Sequence, residues 1–174
     1  AVPCAEYLQS VTGTPFVYLP PYGYSQTTDF LKSVAAVINK PVKEAVLQRL
    51  EEKNRRLQML LNSPLMSRTP GTVFLKGDYD TVKGLGAFFK ELRFNVAHSV
   101  CAHKISGTAA EDIEYFKEEK EYLQLLKDIH HCLVLADEDT IAKADATNFK
   151  ICVSHPCFSH RTIAKHLPFM GERG

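Results

Sequence analysis

Residues 72–96 read TVFLKGDYDTVKGLGAFFKELRFNV. The run 72–76 is apolar without alternation, which predicts a strand that is buried on both faces. A polar Gly-Asp turn follows it, and residues 81–93 then have the spacing of an amphipathic helix before a second apolar strand at 95–100. A strand, a helix and a strand in this order predict a right-handed crossover between two parallel strands.

The same succession continues along the chain. Further strands are predicted at 132–136 and 150–154, and the helices that follow strands two, three and four are predicted over 108–129, to Ala146 and to His166. Four such cycles predict an α/β fold, namely a three-layer Rossmann-like (chelatase-like) parallel sheet that is flanked by helices.

Residues 1–70 are predicted to be leading helices and a short strand of the same domain, and residues 71–174 its parallel α/β core. The boundary lies in NSPLMSRTPG, residues 62–71, which combines two prolines with a glycine. The predicted elements before it are a helix over 2–12 that Gly13 ends, a strand at 15–19, a helix that Thr27 or Thr28 caps and that runs to about Asn39, and a long amphipathic helix from Val42.

Charge and composition exclude some classes of partner. The chain has 21 Lys and Arg against 20 Asp and Glu, a net charge of +1. That charge supplies no field for nucleic acid or an anionic membrane, and no apolar run approaches the roughly 20 residues of a membrane helix. Five cysteines, an odd number, argue against a disulfide framework. We therefore expect a cytoplasmic protein with no nucleic-acid or membrane partner.

Ligands of open parallel sheets bind beyond the carboxyl ends of the strands. The residues that we expect at this ligand-facing edge are Gly77, Asp78, Asp80, Asp137 and Ser154. The Gly77-Asp78 turn suits close approach of a ligand to the backbone, but it is neither GxGxxG nor a Walker loop. The alternative for this turn is a tight turn with an acidic helix cap.

Cysteine and histidine also follow two of the predicted strands. If those strands are neighbours, a zinc or iron site could form from Cys101, His103, His155 and Cys157. The spacing is not that of a zinc finger or a ferredoxin. Two other interpretations stay open: a Cys/His nucleophile pair, and loop residues that cap helices and pack.

Several segments, taken in order, resemble the nitrogenase component 1-type oxidoreductase family. This family includes nitrogenase subunits, their cofactor-assembly scaffold relatives and the subunits of dark-operative protochlorophyllide reductase. The resemblance is carried by residues 72–96 above all, together with GTPF (13–16), PPYGYSQTTDFL (20–31), RLEEKNRRLQMLL (49–61) and SHPCFSHRTIAKHLPFMGERG (154–174).

The resemblance implies one interior domain of a subunit that has three such domains, so the chain looks like a fragment. It implies multi-electron reduction, in which an ATP-dependent iron-sulfur reductase delivers electrons to a metallocluster or a tetrapyrrole held between domains. The expected partners are the other domains of the same subunit, a homologous partner subunit and that reductase. No cofactor is expected on the isolated domain.

The family's intersubunit cluster cysteines belong to a preceding domain, so no iron-sulfur ligand is carried over to this sequence. In the catalytic nitrogenase subunit, a cysteine that ligates the cofactor lies on the helix before the glycine-proline motif. Cys4 lies on the matching helix, but close to Gly13. Its role is left open between ligation and packing.

Three hypotheses follow. The first is a domain of a nitrogenase-like oxidoreductase that is inactive alone and forms one wall of a metallocluster or substrate cleft. The second is a non-catalytic scaffold or carrier domain for a metal cluster, a metal ion or a small molecule. The third is a free-standing binding domain of the same architecture.

Overall fold

A computed structural model describes residues 2–63, 71–104 and 112–154 of the chain. These residues divide into two compact units, of which the first comprises 2–63 and the second holds the sheet. Among the described residues, no helix has both the length and the apolar character that crossing a membrane requires.

The first unit is helical. Its helices are α1 (Val2–Thr12), α2 (Gly23–Val37) and α3 (Glu44–Leu61), and α2 packs against α3. The prediction that Gly13 ends the first helix is confirmed, because Gly13 has φ +70° and its N–H donates to the Gln9 carbonyl at 2.8 Å.

Two expectations for this unit are wrong. Residues 15–19 form no strand. The second helix begins at Gly23 instead of at Thr27 or Thr28, and Thr27 is buried inside it. The Thr27 hydroxyl donates back to the Gly23 carbonyl at 2.5 Å, a bond that threonine makes in helix interiors, so it is not available as a cap.

The second unit is built on five parallel strands in the order β3-β2-β1-β4-β5. The strands are β1 (Thr72–Gly77), β2 (Asn95–Cys101), β3 (Glu114–Tyr115), β4 (Leu133–Ala136) and β5 (Phe149–Cys152). The helices are α4 (Tyr79–Glu91), α5 (Glu119–Lys127) and α6 (Glu138–Lys143). The predicted three-layer, Rossmann-like α/β fold is confirmed.

The central strand β1 is buried on both faces. Leu75 lies under α4, where a Cβ on Gly86 would stand 3.6 Å from its Cδ1. Phe74 lies on the other face and belongs to a core cluster that also contains Tyr122 and Leu126 of α5. Helices on both faces are the reason why the β1 sequence is continuously apolar.

The helix predicted over 108–129 is largely replaced by other structure. The described part of this segment contains β3 and then α5, which begins only at Glu119. A reciprocal capping box sets that start, because Glu118 and Glu121 each accept a hydrogen bond from the other's backbone N–H. Helix α6 ends at Lys143, whereas the sequence predicted a helix to Ala146. It ends there because the backbone of Ala144 is extended. The predicted helix to His166 lies outside the described residues.

Asn148 connects the amino ends of β4 and β5. It is buried, its side-chain oxygen accepts from the Cys132 N–H at 2.9 Å, and its side-chain NH₂ donates to the Ile129 carbonyl at 3.0 Å. The preceding His130-His131 turn is exposed at this edge.

We expect Asn148→Ala to lower the free energy of unfolding by about 2 to 4 kcal/mol, because it leaves a buried N–H and a buried carbonyl without partners. Asn95→Ala is the matched control, since Asn95 is exposed at the start of β2. Urea denaturation measures both variants. An equal, small effect of the two substitutions would contradict this account of the turn.

Candidate functional site

The candidate site lies at the carboxyl edge of the sheet, between β1 and β4. These two strands are neighbours, but β1 leads through α4 to β2 on one side, whereas β4 leads through α6 to β5 on the other. Such a topological switch point leaves a crevice between the two diverging connections. The turns after β1 and β4 therefore frame the crevice.

The turn after β1 brings three of the predicted residues together. Asp78 is exposed and caps α4, and its Oδ1 accepts from the Thr81 N–H at 2.9 Å. A Cβ on Gly77 would lie 3.5 Å from the Ser154 Cβ, and the Ser154 hydroxyl donates to the Lys76 carbonyl at 3.4 Å. Gly77, Asp78 and Ser154 thus lie together at the carboxyl end of β1.

Asp80 follows in the first turn of α4, which is a favourable position for a carboxylate. It is half-buried and close enough to Cys101 to affect the pKa of that thiol. Asp78 and Asp80 therefore both lie near the end of β2.

The turn after β4 is built in the same way but is buried. Asp137 caps α6, and its Oδ1 accepts from the Thr140 N–H at 3.0 Å. Its Oδ2 accepts from the Thr140 hydroxyl at 2.8 Å and also from the Lys76 ammonium. Burial alone would raise the pKa of the Asp137 carboxyl, but the hydrogen bonds from Lys76 and Thr140 outweigh burial and lower that pKa.

Lys76 is the residue at this edge that the sequence analysis missed. Its side chain is 16% exposed, and its Nζ lies 2.9 Å from the Thr140 Oγ1 and 4.6 Å from the centre of the Tyr122 ring. Two signals in the sequence point to Lys76 and its partners. A lysine lies within an apolar strand, and the pattern Asp-X-Asp-Thr occurs after both central strands, at 78–81 and 137–140.

Cys101 is the last residue of β2, and His103 lies just beyond the strand. Cys101 is buried and its thiol donates to the His103 carbonyl at 3.4 Å, while the His103 side chain is exposed. Burial raises the pKa of the Cys101 thiol, and the nearby Asp78 and Asp80 raise it further. A raised pKa favours the thiol, which is neither a good nucleophile nor a good metal ligand.

The expectation that the two Cys/His loops leave neighbouring strands is wrong. Strands β1 and β4 separate β2 from β5, so the ends of β2 and β5 are about 14 Å apart, three strand spacings. His155 and Cys157 lie outside the described residues, so the four-residue metal site stays a prediction.

The described residues do not fit a metallocluster by themselves. Within 2–63, 71–104 and 112–154, no group of three or more Cys, His, Asp or Glu side chains could hold a metal ion. Cys4 is exposed on α1, and Cys132 is buried in the core. The ligand roles considered for Cys4, Cys101 and His103 therefore stay predictions.

An all-parallel sheet with helices on both faces and a topological switch point between β1 and β4 defines a Rossmann-like α/β protein. The profile of the nitrogenase component 1 type oxidoreductase family matches residues 2–174, and the chain belongs to this family. A comparison with curated proteins gives no significant match.

The two aspartate caps make a matched pair of variants. Asn caps helices about as well as Asp, so Asp137→Asn and Asp78→Asn each remove a charge but keep a cap. We expect Asp137→Asn to lower the free energy of unfolding at pH 7 by about 2 to 3 kcal/mol, because it leaves the Lys76 ammonium without its counterion. For the exposed Asp78 the expected change is within about 0.5 kcal/mol.

The effect of Asp137→Asn should depend on pH. The folded state lowers the pKa of Asp137, so the stability from its carboxylate is fully present above the unfolded-state pKa. It is lost as the pH falls through the folded-state pKa. Urea denaturation from pH 7 to pH 2.5 measures the difference in the free energy of unfolding between wild type and variant. This difference should be constant above about pH 5 and should shrink below about pH 4. A difference that is independent of pH would contradict the ion pair.

Proposed function

We propose that this chain forms one wall of a metallocluster or substrate cleft in a nitrogenase component 1-like oxidoreductase and is not active alone. The family match over residues 2–174 carries the proposal. In the full assembly the family implies metalloclusters. In this proposal residues 71–174 supply the sheet, and residues 1–70 supply its leading helices.

The carboxyl edge of the sheet is the surface that we assign to the cleft. Its support is the position of Gly77, Asp78 and Ser154 beside the switch point, where parallel sheets bind ligands. The outward-facing Asp78 carboxylate and the turn backbone give this edge polar groups that can contact a ligand. They supply contact and orientation, whereas the cluster ligands come from elsewhere in the assembly.

The proposed partners are the other domains of the subunit, a homologous partner subunit and an ATP-dependent iron-sulfur reductase. Family membership supports the partner subunits. We also propose a cytoplasmic location, which is supported by Cys4, Cys101 and Cys132, each of which is a free cysteine.

The assembly can be tested by anaerobic purification of the tagged full chain from its own cells. We expect it to co-purify with a second protein of the nitrogenase component 1 family, identified by mass spectrometry, and with iron. In that complex Asp78→Lys should lower the bound iron or the substrate-reduction rate by roughly tenfold, because it places a bulky cation at the cleft wall.

Asn95→Lys is the control, since it adds the same cation at the opposite, amino edge of the sheet. Thermal denaturation checks that both variants are folded. If the two substitutions lower iron and activity equally, or if neither does, the carboxyl edge does not face the cleft.

Metal analysis of the chain without its partners distinguishes the proposed cleft-wall domain from a scaffold or carrier domain. A wall should carry iron and zinc well below one atom per chain. Iron in cluster stoichiometry would support the carrier instead. If metal is bound and its amount is unchanged in Cys157→Ser, the predicted set of Cys101, His103, His155 and Cys157 is not the ligand set.

A further inference from the structure

The ammonium group of Lys76 is enclosed by three kinds of partner. It donates to the Asp137 carboxylate and, at 2.9 Å, to the Thr140 hydroxyl. It also lies 4.6 Å from the centre of the Tyr122 ring and 5.9 Å from that of Phe116. A carboxylate, a hydroxyl and aromatic faces are together the chemistry by which proteins recognise cations with N–H donors.

Contacts that do not involve Lys76 hold the residues around the ammonium in place. Thr140 fixes both oxygens of Asp137, through its N–H at 3.0 Å and its hydroxyl at 2.8 Å. The Tyr122 hydroxyl donates to Glu119 at 3.1 Å, and the Tyr122 and Phe116 rings pack edge to face with their centres 4.7 Å apart. The enclosure is therefore preorganised.

Burial makes this enclosure selective. Thr140, Tyr122 and Asp137 are 0%, 3% and 4% exposed, so water does not compete at the polar groups. An uncharged occupant would leave the buried Asp137 carboxylate without a counterion. A quaternary ammonium ion would give no N–H donor to Asp137 or Thr140.

We propose that Asp137, Thr140, Tyr122 and Phe116 form a recognition site for a primary ammonium group, which Lys76 occupies as an intramolecular ligand. We call these four residues the ammonium cage. Lys76 belongs to β1, whereas the cage residues belong to the β4–α6 turn and to the layer of α5. The bound side chain therefore connects the two sides of the sheet across the switch point.

The cage limits what a ligand can do at the crevice, whatever the redox role of the chain. The Asp137 carboxylate already accepts hydrogen bonds from Lys76 and Thr140, so it is not a free acceptor for a ligand. In this proposal, a ligand that carries an ammonium group engages Asp137 by displacing Lys76.

Chemical rescue tests the cage. Lys76→Ala removes the Cγ, Cδ and Cε carbons and the Nζ nitrogen, a set of atoms that n-propylammonium replaces. We expect Lys76→Ala to lower the melting temperature of the full chain by roughly 5 to 10 °C. Millimolar n-propylammonium should recover a large part of that loss, with saturation, and should leave wild type unchanged.

Three controls define the class of ligand. Lys76→Met fills the space without charge, so the variant should be destabilised but should not respond to n-propylammonium. The neutral isostere n-propanol should not rescue Lys76→Ala, and n-propylammonium should not rescue the Lys76→Ala/Asp137→Asn double variant. Absence of rescue by n-propylammonium, or equal rescue by n-propanol, overturns the proposal.

Amine labelling of wild-type protein gives a second test that does not depend on the variants folding. Lys76 should react with an N-hydroxysuccinimide ester at least tenfold more slowly than the exposed Lys83 and Lys104, as measured by mass spectrometry of the peptides. Labelling of Lys76 at the rate of those lysines overturns the enclosed state on which the cage depends.

Discussion

Burial of β1 on both faces is the constraint on which the rest of the sheet unit depends. Its residues Val73, Phe74 and Leu75 are 0%, 0% and 1% exposed, so successive side chains need a helix layer on each side. The α4 layer covers Leu75, and the α5 layer covers Phe74. Strand β1 also lies between β2 and β4, which fixes the switch point at its carboxyl end.

The same alternation explains why a lysine at position 76 needs a buried counterion. Side chains two apart on a strand share a face, so Lys76 enters the same layer as Phe74. An ammonium in that layer is costly unless it is paired and hydrogen-bonded. The pairing partner comes from the β4 turn as Asp137, and the Tyr122 ring covers the remaining side. One charge in an apolar strand thus couples two parts of the chain that are 61 residues apart.

Most of the sheet could be predicted from the sequence, since four strands lie in short segments rich in apolar residues between turn signals, and the Gly13 helix end is a local backbone property. Strand β3 could not, because two residues have no periodicity and the surrounding charged segment fits a helix. Predicting the Lys76–Asp137 pair would have required the strand order, which brings β1 beside β4. The same order separates the two Cys/His loops that the sequence suggested as neighbours.

The two Asp-X-Asp-Thr turns have similar local structure but differ in burial and in hydrogen bonding. Asp78 and Asp137 have nearly the same backbone angles, with φ and ψ of −71° and 164° against −70° and 163°. Asp137 is buried and both its oxygens are engaged, whereas Asp78 is exposed and, among the described residues, only its Oδ1 has a hydrogen-bond partner. The edge of the sheet is therefore asymmetric. Its β4 side is closed by the protein's own lysine, so in the proposed cleft a ligand meets the Asp78 side.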